Sequence, residues 1–147
     1  MGQAIESRVL TFIREHHIFT LAVCRENRPW CATCYYEYLE DLNLFVFTSD
    51  YDTKHITDMV ESGNYYVAGA IALETSMVGK IRGIQFAGFM RELSGSELKT
   101  GKSAYLKAFP VARLAKLHLW GIEPDIIKMT DNRLGFGKKL IWTYNEL

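Results

Sequence analysis

Three hydroxyl side chains, a lysine and a histidine fall within eight consecutive positions of this chain, at Thr48, Ser49, Thr53, Lys54 and His55. They follow the apolar run Leu44-Phe45-Val46-Phe47 and the polar stretch Asp50-Tyr51-Asp52. The pattern predicts a strand, a short loop and a helix that begins at Lys54. A helix start carries unpaired N–H groups and partial positive charge, which disfavours a lysine unless an anion joins it. A phosphate fits such a place, because hydroxyls and N–H groups donate to it while the ammonium supplies charge. A solvated lysine after an N-cap residue accounts for the same letters.

Other candidate chemistry is sparse. The three cysteines are Cys24, Cys31 and Cys34, and Cys31-Ala32-Thr33-Cys34 has the spacing of a redox or zinc pair. The pair lies in a strand-like run, where residues three apart point to opposite faces. No second cysteine pair or histidine cluster accompanies it, so buried reduced thiols are expected and no metal site. His16 and His17 fall where a first helix should end, a structural position for a histidine. Neither a nucleophile elbow nor a carboxylate pair is visible, and no catalytic residue is assigned.

The elements that must position these residues can be read from periodicity. Ile5, Val9, Phe12 and Ile13 make one apolar helical face over residues 4–15. Residues 18–24 and 30–38 read as a hairpin turning at 26–29, with both faces of the second strand uncharged or aromatic apart from Glu37. Residues 44–49 form the next strand, and 54–62 a helix that stops at Gly63. Strands follow at 65–73 and 81–93, where Gly83 and Gly88 suggest a bulge or close approach. Ser94 and Glu97 have capping-box spacing, with Ser96 an equally good N-cap, before a helix running to Phe109, with a second helical piece at 111–117. The pattern ends with strands at 119–122 and 126–130, broken at Pro124, a loop over 131–137, and a strand at 140–144. Strands joined by short turns, with few helices, imply a mainly β fold: an antiparallel barrel with peripheral helices.

Composition narrows the function. The 147 residues fit one domain, 1–147, and 17 basic residues balance 17 acidic ones. A nucleic-acid binder usually shows a basic surplus. No apolar run approaches the roughly 18–20 residues that span a bilayer, and the first residues lack a signal-peptide pattern. A cytoplasmic protein is expected, with no membrane or nucleic-acid partner.

The order of elements and motifs resembles the flavin-binding split-barrel family typified by pyridoxamine 5'-phosphate oxidase. The likeness rests on "LFVFTS", "DYDT" and "KHITDM", then on "IRGIQFAGFMREL", "AYLKAFP" and "IEPDIIKMTDNRLGFGKKLIW". It implies an antiparallel split β-barrel that binds FMN. The family's phosphate-holding roles fall on Thr48, Ser49 and Lys54, with His55 nearby. Thr33, with the backbone around Ala32 and Cys34, is placed beside the flavin ring, and Gln85 on its other flank. The resemblance also implies a homodimer with FMN at the interface, to which the segment 132–139 contributes through Phe136.

One departure matters. The family's late Arg-Leu-His-x-Arg substrate motif reads Arg133-Leu134-Gly135-Phe136-Gly137 here, without its histidine and second arginine. Oxidation of pyridoxamine 5'-phosphate is therefore not expected. What remains is a flavin-dependent oxidoreductase on another small molecule, with NAD(P)H or a further reductant as electron donor. A non-catalytic FMN carrier or sensor is the alternative.

Overall fold

The computed structural model describes residues 3–145. Helix α1 (Ser7–Glu15) precedes strands β1 (Ile18–Arg25), β2 (Arg28–Leu39) and β3 (Leu44–Thr48). Helix α2 (Lys54–Ser62), strands β4 (Tyr66–Ala72) and β5 (Arg82–Glu92) and helix α3 (Gly95–Ala108) follow, then β6 (Leu119–Asp131) and β7 (Lys139–Thr143). All strand pairings are antiparallel, in the order β3-β2-β1-β4-β5-β6-β7. A further pairing of β3 with β6 closes the first six strands into a ring. The expected barrel with peripheral helices is what the chain forms.

Closure depends on β6, which serves three neighbours. One edge pairs with β5 along its length; the other pairs Leu119–Ile122 with β3 and Ile126–Thr130 with β7. The sequence reading broke this strand at Pro124, but the strand runs through it. Ala87 pairs with Ile126 and Gly88 with Pro124, so Asp125 is the extra residue of a β-bulge. Pro124 has no N–H to donate, and it sits in the gap where β3 has ended and β7 has not begun. Gly88 is required there, because a Cβ would lie 2.1 Å from the Glu123 carbonyl oxygen.

Phe19, Phe45, Phe47 and Phe86 fill the barrel, with the Phe45 and Phe86 rings stacked 4.4 Å apart. Gly69 makes room for Phe86, whose Cζ would be 2.2 Å from a Cβ at that position. Phe12 and Ile13 of α1, and Ile56 and Met59 of α2, pack onto this core. On the outer side of β3, Leu44 and Val46 meet Tyr105 of α3. Strand β3 is therefore buried on both faces, which is why its sequence is continuously apolar.

Details depart from the periodicity in small ways. Helix α1 begins at Ser7, and the piece expected at 111–117 is a 3-10 turn over Pro110–Leu114. Ser94 is the N-cap of α3 but makes no side-chain cap, and the Glu97 carboxylate pairs with Arg91. Gly63 ends α2 at φ 68°, donating its N–H to the carbonyls of Met59 and Val60. Among the described residues no helix is long and apolar enough to cross a membrane.

Candidate functional site

Strand β3 ends at Thr48, which pairs with Leu119. Ser49 is then fixed from both sides of its peptide: its N–H donates to the His118 carbonyl at 3.1 Å, and its carbonyl accepts from Trp120 Nε1 at 2.9 Å. Its buried hydroxyl lies 2.8 Å from His55 Nε2 and also meets the Cys34 thiol. Burial pushes that thiol up to about 11, and burial lowers His55 from its ordinary value, favouring the neutral imidazole. Ser49, just past β3, thus links to His55 of α2 by a hydrogen bond, with the Cys34 thiol of β2 beside it.

Thr53 is the N-cap of α2, yet its side chain caps nothing. The hydroxyl donates backwards to the Asp50 carbonyl at 2.8 Å. The first turn of α2 contains no acidic residue. Its leading N–H groups, those of Lys54, His55 and Ile56, have no intrahelical acceptor. They lie at the positive end of the helix dipole.

Lys54 has partners the sequence reading did not give it. Nζ donates to Asp58 Oδ2 at 2.8 Å and lies 5.2 Å from the centre of the Trp30 ring. Asp58 is buried, with Arg25 Nη1 at 3.9 Å from its other oxygen. The lysine therefore has a structural reason for its place that neither the anion nor the solvated reading contained. The spacing of Lys54 and Asp58, four residues apart on a helix, is the signal that could have revealed the pair. Trp30 carries no such signal, since it approaches from β2.

The second part of the site is a sheet surface. Across β2, β1, β4 and β5 the paired residues Thr33, Thr20, Ala70 and Gln85 form one outward row. Cys31, Ala22, Ala68 and Ala87 form the next. Only one of these eight side chains, Gln85, is long, so the surface is a flat shelf about 14 Å wide at a strand spacing of ~4.8 Å. Ala32 and Cys34 point the other way, into the barrel wall, and offer the shelf only their backbone. Exposed Tyr35, Phe89 and Ile126 border it, with Lys128 beside Gln85 and Ile141 beyond that lysine.

The structure thus joins Ser49 to His55, leaves Thr48 and Lys54 as their chain neighbours with the Lys54 ammonium turned to Asp58 and Trp30, and places Thr33 and Gln85 in one row of the shelf. It does not bring Phe136 to them. That side chain is 87% exposed on the loop after β6, whose opposite end starts beside Thr48. The thiols also differ from expectation: Cys34 is buried, but Cys24 and Cys31 are exposed because they sit on outward positions of β1 and β2. All three are free. Among the described residues no group of three or more His, Cys, Asp and Glu side chains is arranged to hold a metal ion.

Known proteins resemble the chain in two ways. It is 41% identical over 131 residues to a UPF0306 protein of Klebsiella pneumoniae (strain 342), covering 89% of this chain and 88% of that one. No protein-family model matches it. In fold it is similar to a heme binding protein from Mycobacterium smegmatis, with a TM-score of 0.76 at 18% identity. That match covers 90% of this chain but 55% of the other. It is also similar to a pyridoxamine 5'-phosphate oxidase-related, FMN binding protein from Nostoc punctiforme PCC 73102, with a TM-score of 0.66 at 16% identity, covering 95% and 85%. At such identities the likeness is one of fold, and the fold is the split barrel.

Proposed function

The chain belongs to the UPF0306 family, and from the geometry of its split barrel we propose that it binds FMN and acts as a flavin-dependent oxidoreductase on a small molecule. One observation carries this reading: the first turn of α2 is open to an anion. It has a lysine first, no acid, and an N-cap hydroxyl committed elsewhere. A phosphate there accepts from the leading N–H groups of α2 and from Lys54. The ammonium has three donors and gives one to Asp58, so two remain for phosphate oxygens. In the structure the ammonium is held by Asp58, one turn further along α2, and by the Trp30 ring.

Thr48 ends the adjoining strand and Ser49 follows it, and the hydrogen bond between Ser49 and His55 keeps the loop between them compact. The shelf of Thr33, Thr20, Ala70 and Gln85 suits a flat aromatic ring, because no bulky side chain rises from it. Gln85 supplies both a donor and an acceptor for a ring edge. Bound FMN supplies the electron and hydride transfer for which this chain has no side chain of its own.

The apolar border of the shelf favours a second copy of the chain as its cover, since exposed aromatic and aliphatic side chains ringing a flat face mark an interface. In this reading Phe136 serves the site of the other copy, and NAD(P)H or a comparable reductant reaches the ring from the remaining open side. A carrier that holds FMN without turnover uses the same contacts.

The test is reconstitution of the purified chain with FMN and, separately, with heme, followed by visible spectroscopy and light scattering. The reading requires a bound flavin spectrum, its bleaching by NAD(P)H, and a dimeric mass. A retained flavin that no reductant bleaches leaves the carrier. A Soret band with no flavin uptake replaces the reading with a heme-binding one, the ligand named for the Mycobacterium smegmatis neighbour.

A further inference from the structure

The bulge in β6 opens a second site, away from the start of α2. Next to it lies a cavity of about 610 Å³ whose lining includes Tyr66, Phe89, Tyr144, Glu123 and Asp125. The rings of Tyr66 and Phe89 stand 5.0 Å apart at 62°, and all three aromatic residues are exposed. Asp125 is the unpaired residue of the bulge. A bulge re-aims the side chain it carries, and here it brings a carboxylate to a cavity walled by rings.

That carboxylate is held in place. Tyr66 donates its hydroxyl to Asp125 Oδ1 at 2.8 Å, and the Tyr144 N–H donates to the Asp125 carbonyl at 2.9 Å. Glu123 is answered by Arg91 at 3.3 Å. Among the described residues no basic side chain forms an ion pair with Asp125. The cavity therefore combines an uncompensated negative charge with aromatic surface.

We propose that this cavity binds a small organic cation, an alkylammonium whose positive centre lies against Asp125 and whose methyl or methylene groups face Tyr66, Phe89 and Tyr144. Aromatic faces attract such cations electrostatically while accepting their apolar substituents. An anion meets the wrong charge here, and a metal ion finds too few ligands. A neutral apolar molecule strips water from Asp125 without replacing it, which is unfavourable. Phe89 and Ile126 line this cavity and also border the shelf, so the cavity adjoins the proposed flavin face; the inference rests on the bulge and its surroundings and does not require bound flavin.

The test uses the whole chain without added cofactor and two probes of one shape, choline and the uncharged 3,3-dimethyl-1-butanol. Calorimetric titration gives the affinities, and amide chemical-shift mapping gives the place. Choline is expected to shift Phe89, Ile126 and Tyr144 and to bind about ten-fold tighter than the alcohol. Asp125→Asn and Phe89→Leu should each weaken choline binding while leaving the alcohol unaffected or improved. Equal affinity for the two probes overturns the proposal, as does mapping of the shifts to another surface. Undiminished choline binding by a folded Asp125→Asn protein does the same. Should that variant not fold, the two probes on the unaltered chain and Phe89→Leu still decide.

Discussion

The ammonium of Lys54 stands 2.8 Å from Oδ2 of Asp58, a carboxylate that is 8% exposed one helical turn further on. The pair sets the Lys54 side chain against the Trp30 ring at the mouth of α2. It also means that removing Lys54 does two things at once. It takes away a phosphate donor, and it leaves a buried carboxylate with only Arg25 at 3.9 Å.

The two effects separate in a double-mutant design. Lys54→Ala alone should lower stability by about 1–3 kcal/mol, the usual consequence of leaving a buried acceptor unsatisfied. In an Asp58→Asn background that loss should shrink, because the orphaned charge is gone. FMN affinity should still fall about ten-fold when Lys54 is removed from the Asp58→Asn protein. Urea unfolding and fluorescence titration measure the two quantities. An FMN affinity independent of Lys54 in that background removes the lysine from the site.

The thiols should divide by reactivity. Cys24 and Cys31 are exposed, whereas Cys34 is buried and its thiol is pushed up to about 11 by that burial. The thiolate is the reactive form. Titration of the native chain with a thiol reagent at neutral pH should label Cys24 and Cys31 at once and Cys34 only in denaturant. Rapid labelling of Cys34 in the native state, identified by peptide mapping, contradicts its burial.

His55 should make stability depend on pH. Burial lowers its folded-state pKa below the ordinary 6.5, so the native chain favours the neutral ring and the unfolded chain takes up the proton first. The stabilisation is complete above the ordinary histidine value and is lost as pH falls through the lowered one. Thermal melts between about pH 7.5 and 5 should show Tm falling faster for the unaltered chain than for His55→Gln. Parallel Tm curves for the two proteins contradict the assignment.

Much of this architecture was legible in the letters, and the reason differs from element to element. Strand β3 was visible because a strand buried on both faces must be apolar throughout, and α2 because Gly63 marks its end. The phosphate-like cluster was visible because strand, loop and helix start are contiguous in sequence. Pro124 misled because a bulge is a property of two strands: what makes room for it is Gly88, 36 positions earlier. The exposure of Cys24 and Cys31 was hidden for a related reason. Alternation says which residues share a face, but barrel closure decides which face is outside. Asp58 lay within reach of a local rule, whereas Trp30 could reach Lys54 only once β2 had folded against α2.

The most direct measurement of the central claim, that the start of α2 holds the phosphate of FMN, is parallel titration with FMN and with riboflavin, which lacks the phosphate. The account predicts that FMN binds at least about ten-fold tighter. It also predicts that inorganic phosphate competes with FMN but not with riboflavin. Equal affinities for the two flavins, or no binding of either, would contradict it.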